Sequence, residues 1–293
     1  MFTGSLVALV TPFDANNRVD DAALKRLIDF HVENGSDGLV VAGTTGESAT
    51  LAKEEHVELI HRAVELADGR LPVIAGVGSN STAQTVDLSK SVAGSGLDAY
   101  LVVVPYYNRP MQEGLFRHFS TIADAASKPV MLYNVPGRTV ADLLPDTVAR
   151  LAKHGNIFGI KEATGDISRL KAIQERVDGD FRYYSGDDFT VMPFVQAGGH
   201  GVVTVTGNVA PSLMSSLCKL AASGDAAAAK TIDDTLQPLN SALFLESNPI
   251  PVKWAVARLG LIEPTLRLPL TELGSEHHDA VRNAMSNAGI DVN

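Results

Sequence analysis

The sequence predicts an α/β protein that folds as a (β/α)8 TIM barrel with a C-terminal helical appendage. Short apolar runs alternate with longer amphipathic segments over about the first 220 residues, and eight such units favour a closed barrel of parallel strands. An open doubly wound sheet would typically carry a glycine-rich phosphate loop, and the sequence has neither a G-x-G-x-x-G nor a Walker pattern. We expect the barrel to span residues 1–222 and the helical region to span residues 223–293.

The predicted strands are short and almost entirely apolar, which is typical of strands buried on both faces of a parallel sheet. They occupy residues 5–10, 37–42, 72–77, 98–104, 129–134, 157–162, 181–186 and 201–205. Because the strands are parallel, their carboxyl ends meet at one end of the barrel.

Amphipathic segments with helix signals lie between these strands. One helical face of residues 20–35 carries the apolar side chains of Leu24, Leu27, Ile28 and Val32. Helices are also predicted over residues 53–69, 81–96 and 143–155. After the eighth strand, the appendage is predicted from three further helical segments at residues 224–244, 249–262 and 274–290.

Composition and charge exclude several classes of function. The 34 acidic residues exceed the 24 basic ones and give a net charge of −10, which argues against binding nucleic acid or an anionic membrane. No apolar run approaches the roughly 20 residues that cross a bilayer, and the N-terminal segment predicts a first strand rather than a signal peptide. Cys218 is the only cysteine, so an intramolecular disulfide is excluded and a reducing compartment, the cytoplasm, is expected.

In a barrel of this kind the active site lies at the carboxyl ends of the strands. Polar residues follow five of the predicted strands there, in residues 43–48, 105–110, 133–139, 159–162 and 185–188. Lys161 is the strongest single signal among them. Burial of this lysine in a packed barrel mouth would disfavour the ammonium form and leave a neutral amine able to attack a carbonyl. The alternative is a surface lysine paired with the adjacent Glu162, and position alone leaves both interpretations open.

Three neighbouring features together favour the catalytic interpretation. Tyr133 ends the preceding strand, where its hydroxyl can act as acid and base, although a strand-end tyrosine often only packs. The turn at residues 43–46 combines backbone N–H groups with the hydroxyls of Thr44 and Thr45, which suits a carboxylate or merely caps the next helix. Arg138 follows a Pro-Gly turn and can clamp a second carboxylate, whereas an isolated loop arginine is often a surface residue.

These motifs resemble a known family. The signatures of pyruvate-dependent class I aldolases and lyases are similar to residues 43–47, 133–136 and 159–162. More narrowly, the whole chain resembles the bacterial dihydrodipicolinate synthases, including residues 105–108, 136–139 and 248–253. The combination is highly specific, whereas each motif alone is not. The resemblance implies a lyase that condenses pyruvate with aspartate 4-semialdehyde in lysine and diaminopimelate biosynthesis.

The resemblance also implies roles for four catalytic residues. Lys161 corresponds to the lysine that forms an imine with pyruvate, and Tyr133 to the general acid and base. Thr45 and Tyr107 correspond to the hydroxyls that complete a proton relay, with the tyrosine reaching in from a neighbouring subunit. The active unit is therefore expected to be at least a dimer, and a dimer of dimers is usual in the family.

The substrates are held by a second group of residues, again by resemblance. Thr44 and Thr45 would bind the pyruvate carboxylate, and Arg138 would bind the carboxylate of the semialdehyde. Gly186 and Val203 would line the pyruvate side of the pocket. Because an iminium is itself an electron sink, we expect neither a metal nor another cofactor.

Many members of the family are inhibited by lysine that binds between paired subunits. The corresponding positions here are Ser48, Ala49, Lys53, His56, Asn80, Gln84 and Tyr106. Lysine-sensitive members have histidine at position 53 and glutamate at position 84. Gln84 offers a ligand ammonium only a dipole and Lys53 adds repulsion, so we predict weak or absent inhibition by lysine.

Two alternatives remain open. Another aldolase on the same scaffold, such as N-acetylneuraminate lyase, would share Lys161 and Tyr133, although Arg138 and the paired Tyr106 and Tyr107 favour a short acceptor that carries a carboxylate. A catalytically silent sensor barrel would be expected to have lost a catalytic residue, and none of the corresponding positions is lost.

Overall fold

Eight parallel strands pair in chain order and close into a barrel, with the first strand bonded to the eighth. The computed structural model describes residues 2–292, so residues 1 and 293, the outer limits of the two predicted regions, lie outside the described part. The strands are β1 (Gly4–Ala8), β2 (Gly38–Val41), β3 (Val73–Gly76), β4 (Ala99–Val103), β5 (Val130–Asn134), β6 (Ile157–Glu162), β7 (Arg182–Ser185) and β8 (Gly201–Thr204). They overlap all eight predicted runs, and the predicted barrel is confirmed.

Twelve α-helices accompany the strands in the described part of the chain. Side chains cap several of them: Asp20 accepts a hydrogen bond from the N–H of Ala23, and Ser81 accepts one from the N–H of Gln84. None of the helices within residues 2–292 is long and apolar enough to cross a bilayer. The helices are α1 (Asp21–Glu33), α2 (Lys53–Ala67), α3 (Thr82–Ser91), α4 (Gln112–Ala125), α5 (Pro136–Thr139), α6 (Pro145–Leu151), α7 (Ile167–Gln174), α8 (Val191–Gln196), α9 (Pro211–Ser223), α10 (Ala226–Ala242), α11 (Ile250–Arg258) and α12 (His278–Asn287).

Two apolar clusters form the core. The larger one fills the space between the strands and the surrounding helices. The smaller one fills the barrel itself with Leu6, Ala8, Val40, Ile74, Ala99, Leu101, Met131, Tyr133, Val135, Phe158, Tyr184 and Val203. Because side chains pack the interior, a substrate can reach only the open end of the barrel, where the strands terminate.

The C-terminal helices pack on the barrel and extend over its open end. The predicted helical segments correspond to α10, α11 and α12; α10 lies against α8 and α9, and α12 lies against α10 and α11. The segment between α11 and α12 returns to the loop after β2. There Arg267 donates hydrogen bonds to the carboxylate of Glu55 and to the backbone oxygen of Thr50. The appendage therefore contributes directly to the end of the barrel that carries the candidate site.

Candidate active site

A β-bulge in β6 determines which way Lys161 points. The register between β5 and β6 shifts by one residue at the start of the pair, which leaves Phe158 as an extra residue in β6. Beyond the shift Lys161 pairs with Tyr133. Side chains alternate along a strand, so an unshifted register would turn the lysine outward toward the helices. Gly159 permits the close strand approach at the bulge, because a Cβ there would lie 2.5 Å from the backbone oxygen of Arg182.

Lys161 lies in a closely packed pocket at the barrel mouth. Its Nζ is 4.2 Å from the centre of the Tyr133 ring, and each of the two residues is only 6% exposed. Gly186 covers the stem of the lysine, since a Cβ at this position would lie 2.8 Å from Lys161 Cε. Val203 is buried in the same interior cluster as Tyr133. The structure therefore places Tyr133 and Gly186 against Lys161, and Val203 in the interior cluster to which Tyr133 belongs.

Glu162 does not pair with Lys161. Its carboxylate accepts hydrogen bonds from Asn134 Nδ2 at 3.1 and 3.2 Å and from the N–H of Thr164 at 3.0 Å. Arg169 Nε lies 3.7 Å away on the same outer side of the strand. Burial raises the pKa of the Glu162 carboxyl. The alternative of a Lys161–Glu162 surface ion pair is wrong, because adjacent residues of a strand face opposite sides of the barrel wall.

The turn after β2 presents two threonines at the mouth. The N–H of Gly46 donates to the backbone oxygen of Gly43, and the N–H of Glu47 donates to that of Thr44. These two amides close the turn and are not available to a ligand. Thr45 is buried, with 3% of its surface exposed. The turn thus offers the hydroxyl groups of Thr44 and Thr45, and the N–H groups of these two residues are not among those that close it.

Asn248 links this turn to Arg138. Its side-chain Nδ2 donates to Thr45 Oγ1 at 3.0 Å, and its backbone oxygen accepts from Arg138 Nη2 at 3.0 Å. Arg138 itself lies on α5, with its side chain exposed at the mouth. The contact orients the guanidinium group while leaving its remaining donors available to a ligand.

A buried ion pair connects the threonine turn after β2 to α11. Lys253 Nζ lies 2.6 Å from Glu47 Oε1, and both side chains are fully buried. The second oxygen of Glu47 accepts from the N–H of Arg267 at 3.1 Å. Burial lowers the pKa of Lys253 to about 8, against the opposing pull of Glu47. The ion pair fixes α11 against the loop after β2.

Two adjoining cavities open at this end of the barrel. The larger is a solvent-open cleft of about 680 Å3 lined by Thr44, Arg138 and Asn248, among others. The smaller, of about 30 Å3, reaches Tyr133 at the barrel mouth. Thr44 lines both cavities, so a ligand in the cleft has direct access to the threonine turn beside the lysine pocket.

A family comparison agrees with this geometry. Residues 1–288 match the model of the dihydrodipicolinate synthetase family. The chain belongs to this family.

Individual members of the dihydrodipicolinate synthetase family are similar to the chain over its whole length. The 4-hydroxy-tetrahydrodipicolinate synthase of Pseudoalteromonas atlantica is 55% identical over 293 residues, which cover 99% of each chain. The chloride-inhibited dihydrodipicolinate synthase from Acinetobacter baumannii, solved with pyruvate, superposes with a TM-score of 0.97 and 46% identity over 99% of this chain and 100% of that one. The enzyme from Cyanidioschyzon merolae, solved with lysine bound, superposes with a TM-score of 0.95 and 40% identity over 99% of each chain. The resemblance inferred from the motifs is confirmed.

One predicted residue lies away from the lysine pocket of this family member. Tyr107 is 90% exposed and adopts a left-handed backbone conformation with φ 73°. Tyr106 lines the larger cleft and is 39% exposed. The loop thus keeps one tyrosine at its own cleft and directs the other into solvent.

Most of the predicted effector positions of this family member surround the cleft. Asn80 is not among the described residues that line it; its backbone oxygen accepts from Asn108 Nδ2 at 2.8 Å and so supports the tyrosine loop. The lining positions are Ser48, Ala49, Lys53, His56, Gln84 and Tyr106.

Several groups at the effector positions are already bonded within the chain. Lys53 forms an ion pair with Asp87, which offsets part of the repulsion expected from the lysine. Gln84 Oε1 accepts from Ser79 Oγ at 3.0 Å. His56 Nε2 donates to the backbone oxygen of Gly76 at 2.8 Å, and burial lowers the pKa of this histidine.

Three residues of the site were absent from the predicted set: Glu47, Asn248 and Lys253. The last two lie in residues 248–253, which carried the family resemblance without an assigned role. A lysine within the apolar helix of residues 249–262 was a usable signal, because a lysine in such a pattern is buried only with a partner. The identity of that partner, 206 positions earlier in the chain, depends on the fold.

Proposed function

We propose that this chain is a lyase that condenses pyruvate with L-aspartate 4-semialdehyde to form 4-hydroxy-tetrahydrodipicolinate in lysine and diaminopimelate biosynthesis. The observation that carries the proposal is the placement of Lys161 Nζ inside the barrel mouth, 4.2 Å from the centre of the Tyr133 ring. Its neighbour Glu162 is bonded to Asn134 on the other side of the strand. A buried amine held in this way is available to a carbonyl carbon. The pyruvate complex of the Acinetobacter baumannii relative supports the choice of keto acid.

The first half of the reaction activates pyruvate. The Lys161 amine attacks the keto carbon and gives a carbinolamine, and Tyr133 supplies the proton with which its hydroxyl leaves as water. The iminium then loses a methyl proton to form an enamine, with the nitrogen as the electron sink. The chemistry is provided by the lysine nitrogen and the substrate, so no cofactor is required.

The second half joins the substrates. The enamine carbon attacks the aldehyde carbon, and the aldehyde oxygen takes a proton to become the hydroxyl of the product. The amino group of the former semialdehyde then displaces Lys161 from the imine carbon, which closes the ring and regenerates the free amine. Tyr133, Thr45 and Tyr107 of a second copy pass the protons between pocket and solvent.

Two carboxylates must be bound during these steps. We assign the pyruvate carboxylate to the hydroxyls of Thr44 and Thr45, which lie on the turn beside the lysine pocket. The semialdehyde carboxylate is assigned to Arg138, whose planar guanidinium group suits bidentate binding. Gly186 and Val203 shape the pyruvate side. A Cβ at Gly186 would collide with the lysine stem, which supports this assignment.

The enzyme acts as an oligomer in this proposal. In the single chain Tyr107 is 90% exposed and lies away from the lysine pocket. We therefore assign its hydroxyl to the active site of a second copy. The minimal unit is a dimer, and a dimer of dimers in the cytoplasm is the proposed form. Each protomer combines a catalytic barrel of residues 1–222 with a helical region of residues 223–293.

Borohydride trapping tests the central step. Reduction in the presence of pyruvate is expected to add the mass of the reduced pyruvate adduct to a peptide that contains Lys161. Aspartate semialdehyde is the expected acceptor, and N-acetylneuraminate serves as the control substrate for another aldolase on the same scaffold. Absence of an adduct from the wild-type protein would refute the Schiff-base mechanism, and cleavage of N-acetylneuraminate in preference to condensation would favour the alternative enzyme.

Lysine is proposed as a weak effector at the cleft between paired copies. The lysine complex of the Cyanidioschyzon merolae relative supports the class of ligand. Gln84 provides no charge for a ligand ammonium, and Asp87, the nearby carboxylate, is already paired with Lys53. Activity titrated with lysine is expected to show little inhibition below about 1 mM, because an uncompensated ammonium binds weakly. Strong inhibition at sub-millimolar lysine would contradict this prediction, and Gln84→Glu is expected to increase the sensitivity.

A further inference from the structure

The segment between α10 and α11 contacts both proposed carboxylate sites through one residue. Asn248 is 6% exposed, its Nδ2 donates to Thr45 Oγ1, and its backbone oxygen accepts from Arg138. Its Oδ1 is buried and has no hydrogen-bond partner among residues 2–292. A buried amide normally bonds through both of its polar atoms. Here the donor side alone is used, and it is directed at Thr45.

This contact restricts the direction of the Thr45 hydroxyl. A hydroxyl carries one hydrogen and accepts through its oxygen lone pairs. The amide nitrogen of Asn248 has no acceptor capacity, so the bond between the two residues uses a lone pair of Thr45. The hydrogen of Thr45 must therefore point to another acceptor, and it is free to be donated.

We propose that Asn248 is a positioning residue that sets the direction of proton transfer through Thr45. The inference rests on the proposed function, in which Thr45 and Tyr133 belong to one relay. When Thr45 gives its hydrogen to the Tyr133 oxygen, it receives another from Tyr107 of a second copy and stays neutral. Asn248 neither gains nor loses a proton; it keeps one lone pair of Thr45 occupied throughout.

The position of Asn248 is fixed by its surroundings. The N–H of Ile250 donates to the backbone oxygen of Ser247 at 2.9 Å, which closes a turn around the asparagine. At the other end of the first helical turn, Lys253 is tied to Glu47 of the threonine turn. The turn thus fixes Asn248 within its own segment, and the ion pair holds that segment against the threonine turn.

Two substitutions distinguish a donor role from a space-filling role. Asn248→Asp keeps the shape but replaces the donor with a carboxylate, which would accept the Thr45 hydrogen and reverse the bond. Asn248→Ala removes the side chain and leaves the hydroxyl unconstrained. We expect kcat to fall about tenfold in Asn248→Ala and about 100-fold in Asn248→Asp. A residue that only fills space would show the opposite order, because the aspartate variant conserves the volume.

The Michaelis constants provide the second readout. The backbone oxygen that orients Arg138 is retained in both variants, so the KM for aspartate semialdehyde is expected to stay within about twofold of the wild-type value. Arg138→Ala is the positive control and should raise that KM. A general disturbance of the segment would move both sites, and would raise the semialdehyde KM in the Asn248 variants as well. Such a rise, or wild-type kcat in Asn248→Asp, would overturn the proposal.

Borohydride trapping separates this inference from the function on which it rests. Both Asn248 variants retain Lys161 and Tyr133, so they should still form the pyruvate adduct. If the wild-type protein forms no adduct, the proposed function fails. If the wild-type protein condenses its substrates and Asn248→Asp does so equally fast, the proposed function stands and the role of Asn248 is refuted.

Discussion

The chain contains two deeply buried lysines near the same end of the barrel, and their surroundings differ in one respect. Lys161 is 6% exposed with its Nζ 4.2 Å from the centre of the Tyr133 ring, and Lys253 is fully buried with its Nζ 4.3 Å from the centre of the Phe13 ring. Of these two lysines, only Lys253 has a carboxylate partner among residues 2–292, and that partner is the Glu47 side chain at 2.6 Å. Burial and aromatic contact alone therefore do not distinguish a structural lysine from a reactive one.

The carboxylate decides the role of each lysine. At Lys253 the ion pair satisfies the ammonium, and the pair fastens α11 to the loop after β2. At Lys161 the nearest candidate partner, Glu162, is turned outward by the alternation of the strand and is bonded elsewhere. Among residues 2–292 no carboxylate occupies the Lys161 amine, and an unpaired amine at the barrel mouth is the one placed to attack a carbonyl carbon.

The largest expected effect comes from removing the reactive lysine. Lys161→Met preserves the length of the apolar stem and removes the nucleophile, so kcat is expected to fall about 10³-fold or more and the borohydride adduct to disappear. The unfolding free energy should stay the same or rise, because the variant no longer buries an amine without a counter-charge. Steady-state kinetics, mass mapping and denaturant titration measure these effects. An adduct that maps to Lys253 instead would reverse the assignment of the two lysines.

Substitution of the structural lysine, Lys253, should lower the free energy of unfolding, whereas substitution of Lys161 should not. Lys253→Met leaves the Glu47 carboxylate buried without its ammonium and is expected to lower the unfolding free energy by about 3 kcal/mol. Combining it with Glu47→Gln removes the unpaired charge and should restore more than half of that loss. Denaturant unfolding of both single variants and the double variant forms the cycle. Additive losses in the cycle would show that the two charges do not act as a pair.

The sequence predicted the barrel and its reactive end because both depend on local patterns. Short apolar runs such as the one that forms β6 are typical of buried strands, and the polar residues that follow them lie at the mouth of the barrel. The orientation of Lys161 was not predictable in this way. In residues 157–162 the alternation of side chains is broken by Phe158, and only pairing with β5 reveals that this residue is extra. The sequence thus left the direction of Lys161 open, and the bulge turns this side chain into the barrel.

Contacts between distant parts of the chain account for the remaining differences. Asn248 meets Thr45 across 203 positions, and no local pattern encodes that meeting. No local pattern distinguishes Tyr106 from Tyr107, and only the family resemblance assigned them different roles. The left-handed backbone conformation of Tyr107 separates their directions.

A buried histidine extends the comparison to a base with no carboxylate partner. His31 is fully buried, its Nδ1 lies 3.0 Å from Ser36 Oγ, and its Nε2 has no hydrogen-bond partner among residues 2–292. Burial lowers the pKa of His31 from 6.5 to about 3. Whereas Lys253 is buried with a counter-charge, His31 avoids charge by staying neutral.

This difference gives the smallest predicted effect, a dependence of stability on pH. Below pH 6.5 the unfolded chain binds a proton at His31, whereas the folded chain binds it only near pH 3. The contribution of His31 to the free energy of unfolding is therefore complete above pH 6.5 and is lost as the pH falls toward 3. The loss amounts to at most about 1.4 kcal/mol per pH unit. Denaturant unfolding between pH 7.5 and about pH 4.5 should therefore give a shallower slope for His31→Gln than for the wild-type protein. Replacing the exposed His61 with glutamine is the matched control and should leave the slope unchanged. Equal slopes in all three proteins would mean that His31 is protonated in the folded state, and that burial without a carboxylate does not suffice to keep a base neutral in this chain.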